Sequence, residues 1–398
     1  MEMKKLILAS AIACALPTLA LADVTITGTL AVGLDSLQYA GNNNATSTAN
    51  APSGYATNVG HARTTGVDDL GSEIVIKGDE DLGNGLKTIW KISSGFNANG
   101  TATPGSGKGV FADRESFVGL DDATYGSIKM GKLNDTLVLT ESTDNFYGPR
   151  RDYGFGGGLN VNTPLYEEGA TPLGGFGELN GDGRVSNTVR YDSPTYAGFS
   201  YNLDYNASET TSNGHMAGDQ YGVHVNYSNA ATGLFIGGAY KIALNEAQNS
   251  AGTHNGYTER LEGGYNGDAL TVAFTLNRDS LYGDDTSGMA NAFVTVAGLT
   301  ANTAAHLTGN SWGSYIAYQI GNWKPQIEYS QRFNSTVDGV TLNTGAREAS
   351  FELDYSLSKR TILLAGYAEI LESAGLQALQ GDSSDVNRLI YTGMVHHF

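Results

Sequence analysis

The 398 residues contain one cysteine, Cys14, close to the start of the chain. A disulfide framework is therefore excluded. Bases are also scarce: 23 Lys and Arg stand against 41 Asp and Glu, a net charge of -18. A chain this acidic is not held on nucleic acid by phosphate neutralisation, which needs clustered Lys and Arg, and no nucleic-acid partner is expected. The longest apolar run, Leu6 to Leu16, is shorter than the ~18–20 residues a transmembrane helix needs, which excludes a helical channel or transporter. Catalytic signatures are missing too. Seven scattered histidines form no metal-ligand spacing, and no Gly-x-Ser-x-Gly elbow occurs. Adjacent acids such as Glu167-Glu168 and Asp284-Asp285 lack the separation that a general acid and base require. Neither enzyme chemistry nor a cofactor is expected.

The first 22 residues read as an export signal. Lys4 and Lys5 precede the apolar run, and Ala20-Leu21-Ala22 offers a small-residue cleavage site before Asp23. A rival reading makes Cys14 a lipidated residue after Ala11-Ile12-Ala13, but it leaves only a stub of apolar core ahead of the cysteine. Residues 23–398 form the mature chain, with 40 acids and 21 bases once Glu2, Lys4 and Lys5 are removed, a net of -19.

Glycine is abundant at 53 residues, against a usual share of ~7%. Beyond Asp23 the dominant pattern is alternation. Phe199, Tyr201, Leu203 and Tyr205 interleave with Ser200, Asn202 and Asp204; Leu270, Val272, Phe274 and Leu276 do so with Thr271, Ala273 and Thr275. Period two marks strands with one greasy and one polar face. Tight turns such as Gly83-Asn84-Gly85 alternate with long Ser/Thr/Asn/Gly-rich stretches, the longest from Leu133 to Gly183. This spacing predicts about sixteen strands beginning near residues 24, 71, 86, 113, 127, 184, 197, 219, 233, 256, 268, 311, 323, 346, 360 and 387.

The polar faces carry full charges at mid-strand, among them Lys87, Lys91, Glu328, Glu352 and Asp354, which a filled soluble core would exclude. About sixteen strands leave an aqueous lumen instead. Aromatic pairs near strand ends, Tyr201 with Tyr205, Tyr221 with Tyr227 and Tyr315 with Tyr318, suit interfacial girdles, and the chain closes on His396-His397-Phe398. The fold class is all-β, an antiparallel up-and-down transmembrane barrel.

Ser72 to Ile92 reads SEIVIKGDEDLGNGLKTIWKI and resembles the second hairpin of Gram-negative general porins, in particular the neisserial branch. In the family's order follow Asp113-Arg114-Glu115-Ser116-Phe117-Val118-Gly119-Leu120, Gly126 to Asn134 and Val189 to Pro194. The resemblance implies an outer-membrane homotrimer of sixteen-stranded barrels in contact with lipid and lipopolysaccharide. Each pore would pass ions and small polar solutes passively and would be narrowed by an inward third loop, here about 133–183. It also implies a basic wall cluster at Lys77, Arg114, Lys132 and Arg190 facing acids on that loop. Glu73 stands where enterobacterial relatives have a wall arginine. Candidate loop acids are Glu141, Asp144 and Asp152, the last beside Tyr153-Gly154-Phe155, where the family's proline and glutamate are replaced.

With eight acids against Arg150 and Arg151 in the loop, a net of -6, mild cation preference is expected. A substrate-specific channel or a loop-mediated adhesin on the same barrel is the alternative.

Overall fold

The computed structural model describes residues 23–38, 63–100, 111–140, 142, 146, 184–208, 211–212, 215–216, 219–249, 252–283, 305–374 and 386–398. The expected export signal, the candidate acids Glu141, Asp144 and Asp152, and most of 133–183 lie outside the described residues.

Strand β1 is Asp23–Gln38, and β2 comes in two pieces, β2a Arg63–Asp69 and β2b Glu73–Gly83. They are followed by β3 Leu86–Gly95, β4 Ser116–Asp122, β5 Gly126–Asn134, β6 Arg184–Asp192, β7 Phe199–Asn206, β8 Gln220–Asn229 and β9 Leu234–Asn249. The remainder are β10 Gly252–Asn266, β11 Leu270–Gly283, β12 Ala305–Tyr318, β13 Trp323–Arg332, β14 Ala346–Ser356, β15 Thr361–Glu372 and β16 Val386–His397. Each pairs antiparallel with its neighbours in the chain, and β16 returns to β1 in register from Thr29 opposite His397 to Gln38 opposite Arg388. The result is a closed sixteen-stranded barrel. Its strand starts follow the alternation in the sequence, except that β2 and β12 begin earlier than 71 and 311.

Alternation sorts the faces. Outward, Val24, Ile26, Leu34, Val118, Met130, Leu203, Ile236, Phe274, Ile327 and Met394 are all exposed, a distribution that lipid but not water tolerates. At the short-turn end Tyr125, Tyr196, Phe199, Tyr227, Tyr318 and Trp323 form one aromatic girdle, with Trp323 on Tyr355 at 4.5 Å between ring centres. Toward the long-loop end Tyr205 and Tyr221, at 5.2 Å, and Tyr240 and Tyr257, at 5.8 Å, form part of a second. Tyr315 does not belong to either girdle, contrary to the expectation from sequence. It is three residues from the outward Tyr318, an odd step in a period-two strand, and so faces the lumen, where its hydroxyl donates to Gln326.

Turn chemistry fixes register. Asn84 and Gly85, at φ 56° and 90°, form a two-residue loop that suits the primed hairpin turns. At the seam, Phe398 exchanges two backbone hydrogen bonds of 3.0 Å with Gly28. Its ring lies over that glycine, where a Cβ would stand 2.4 Å from Phe398 Cζ. The break in β2 comes from Asp69, whose carboxylate accepts from the Gly71 and Ser72 amides and ends the ladder. Leu70 thereby turns inward over Gly33 and Gly393, joining Ala31, Leu364, Leu389 and Val395 in an apolar cluster that covers the seam.

Phe274 occupies the middle of the outward row of β11. Phe274→Arg is expected to destabilise the folded barrel by roughly 2–4 kcal/mol, the cost of a base at the bilayer midplane. Denaturant titration in lipid vesicles measures it; an unchanged midpoint would place this face away from lipid.

Candidate functional site

The inward face is a set of rows that run around the wall. One row joins Lys77 to Lys91 and Phe117 across β2b, β3 and β4. A second runs Lys129, Arg190, Asp204, Gly222, Lys241, Thr258 and Asp279 from β5 to β11. Bases therefore gather on β2b to β6. Eight strands round the barrel from β5 and β6, strands β13 and β14 carry Glu328, Glu348, Glu352 and Asp354 on the inner face. Tyr391 donates to Glu352 at 2.8 Å, while Gln326 donates to Glu352 at 3.2 Å and to Asp354 at 2.8 Å.

Most wall bases are matched by wall acids. Lys87 pairs with Asp79 at 3.0 Å, Lys91 with Glu115 at 2.6 Å and Lys129 with Asp192 at 2.9 Å. Arg114 precedes β4 rather than lying within it, and its guanidinium fits against Gly95 and reaches Glu73 at 2.8 Å. Glu73 thus does more than remove a base from the wall: it also engages a neighbouring one. Arg190 is buried and bonds Asp204 through two nitrogens, at 2.6 and 2.8 Å. Lys77 is exposed on the inner row and forms no ion pair among the described residues.

Of the four bases that the sequence singles out, register puts Lys77 and Arg190 in the inner rows, with Arg114 beside them. Lys132 pairs with Ser116, in the row that continues the outward Met130 and Val118. The cause is period two: Lys132 is three residues from the inward Lys129, an odd step that puts it on the opposite face.

The root of the third loop turns into the barrel. Asp135 and Thr136 leave β5, a one-turn 3-10 helix spans Val138–Thr140, and Phe146 packs on Ala273, Tyr315 and Ala317, edge-on to Tyr315 at 6.0 Å. Along the way the wall binds it. Arg190 donates to the Asn134 carbonyl, Thr136 donates to Asp204, and Lys241 pairs with Asp135. Arg260 donates to the Leu137 carbonyl at 2.7 Å, and Glu262 accepts from the Ser142 amide at 3.0 Å. The sequence did not single out Lys241, Asp204, Arg260 or Glu262. Their only signal was a charged residue on the polar side of an alternating strand.

A closed barrel with a lipid-compatible exterior, a charged interior and a loop root folded inside is an outer-membrane channel. The chain belongs to the Gram-negative porin family, whose model matches residues 9–375. It is 31% identical to the major outer membrane protein P.IB of Neisseria meningitidis serogroup B (strain H44/76 form), with both chains covered completely. Among solved structures, the anion-selective porin from Comamonas acidovorans aligns with a TM-score of 0.66 at 18% identity, over 95% of this chain and 100% of that one. OmpT of Vibrio cholerae, solved in its trimer form, aligns at 0.61 with 11% identity, over 95% and 99%. The protein is an outer-membrane porin for passive diffusion of ions and small hydrophilic solutes.

Because Lys77 is exposed on the inner row without an ion pair among the described residues, Lys77→Gln is expected to move the reversal potential in a KCl gradient toward greater cation preference. Bilayer recordings check it, and an unmoved potential would place Lys77 away from the conducting path.

Proposed function

We propose that the pore is mildly cation-preferring. The observation that carries this reading is the pairing of Lys87, Lys91, Arg114, Lys129 and Arg190 with acids within hydrogen-bonding distance. A base with an acid at 3 Å presents a dipole to a passing ion, and its field fades within a Debye length of about 8 Å at physiological salt. The chain carries 41 acids against 23 bases, and Glu328, Glu348, Glu352 and Asp354 place acid on the inner face of the opposite wall. The Comamonas porin is anion-selective; the wall pairing argues for the other sign here.

The mature protein begins at Asp23 in this reading, works as a homotrimer like the trimer form of the Vibrio OmpT, and sits among outer-membrane lipid and lipopolysaccharide. Transport needs no bond chemistry, only a hydrated path down a gradient. Selectivity comes from pore width and lining charge. Glu141, Asp144 and Asp152 are the loop acids proposed to narrow that path, facing Lys77 and Arg114.

Under a KCl gradient the wild-type channel is expected to show a reversal potential of the sign set by K+ flow, reduced at high salt. Clear anion preference would overturn the proposal while leaving the porin itself intact.

A further inference from the structure

The inner row that crosses β6 to β9 reads Arg190, Asp204, Gly222, Lys241, each opposite the next. Gly222 leaves a notch between two charges of opposite sign. Thr136 fills it: a Cβ on Gly222 would stand 2.3 Å from the Thr136 hydroxyl and 3.0 Å from its Cβ. The same hydroxyl donates to Asp204, which Arg190 grips from the other side. One residue earlier, Asp135 pairs with Lys241, whose side chain is 0% exposed, and its other oxygen accepts from the Leu137 amide at 2.8 Å. Two bases and two acids are thus buried together around the first two residues of the loop, with no net charge.

We propose that Lys241 is the positioning residue of the inward loop, holding its root against β9 through Asp135, and that this latch sets how wide and how steady the pore is without setting its ion preference. The inference rests on the channel reading of the chain. Three features support it. A lysine removed entirely from water needs a partner that matches its charge, and removing either member strands the other. The notch at Gly222 is filled by Thr136, the residue after Asp135, so the latch specifies where the loop starts as well as that it is held. The charges sum to zero, so their joint removal leaves the lumen's charge as it was.

The test is single-channel recording of the full-length protein in planar bilayers, with unheated gel mobility as a check on assembly. In the paired variant Asp135→Asn with Lys241→Met, net charge is unchanged. The expected result is loss of the single steady open level, replaced by flicker between several conductances, with the wild-type reversal potential retained. The charge swap Asp135→Lys with Lys241→Asp should restore the steady level, at least in part. Gly222→Ala pushes on Thr136 without touching any charge and should give the same flicker, which keeps the test decisive if the paired variant fails to assemble.

A steady wild-type conductance in both the paired variant and Gly222→Ala would overturn the latch. So would a shifted reversal potential at unchanged conductance, which would make these residues part of the selectivity field. A wild-type protein that conducts nothing would instead sink the channel reading, so the two failures are distinguishable.

Discussion

In hydrocarbon no water is present to satisfy an amide, so every strand that crosses the membrane needs a partner on both sides. For fourteen of the sixteen strands the preceding and following strands supply one each. The first and last have a chain neighbour on one side only, and on the other they have each other. The long register between β1 and β16, finished by the reciprocal bonds of Gly28 and Phe398, is the condition on which the rest of the molecule depends. Two further features serve it: a terminal ring that covers a glycine on the lipid side, and Leu70 set over Gly33 and Gly393 on the lumen side. The break in β2 weakens one ladder locally and in return packs an apolar side chain across the seam. An apolar cluster on the inner wall of a wet barrel makes sense in this place, where the ring is closed by strands far apart in the chain.

Closure also decides what the inner face can carry. A barrel this wide cannot fill itself with side chains, so polar and charged residues are free to project inward, provided they find partners. The wall meets that condition mostly with itself. Arg114 with Glu73 and Lys91 with Glu115 link residues well apart in sequence that register brings side by side. The loop root meets it differently, by lending its own backbone and side chains to buried wall groups. Arg260 bonds Asn277 on the next strand and the Leu137 carbonyl in the loop, serving barrel and loop together. The loop therefore is part of the wall's hydrogen-bonding solution.

The barrel was legible in the sequence because its signal is local. Period two, turn residues and the shift from short turns to long stretches all lie within a dozen residues of each other, and they locate most strand starts closely. Where the reading failed, the missing information was again specific. Tyr315 was grouped with Tyr318 although an odd separation must put them on opposite faces. Lys132 was placed on the inner wall from the family motif, although its odd separation from Lys129 must put the two on opposite faces. The proposed latch was the least legible part. Asp135 and Lys241 are 106 residues apart, and nothing in either segment announces the other; they meet because the three strands between β5 and β9 fix a circumferential offset that alternation alone does not encode.

That offset bears on how charge should be read in any chain of this kind. A count of acids and bases treats each as acting at a distance, and here the count strongly favours acid. Pairing changes the weight of each member. Arg190, identified from a motif as a wall base, bonds Asp204 and a carbonyl of the loop root. Lys77, from a different motif of the same family, has no ion pair among the described residues. Two residues of one sign, in adjoining rows of one wall, thus differ in kind, and the difference lies in whether a carboxylate stands within hydrogen-bonding reach. In the reading proposed here, ion preference follows from the charge left after these pairs are removed, and pore width from the pairs themselves.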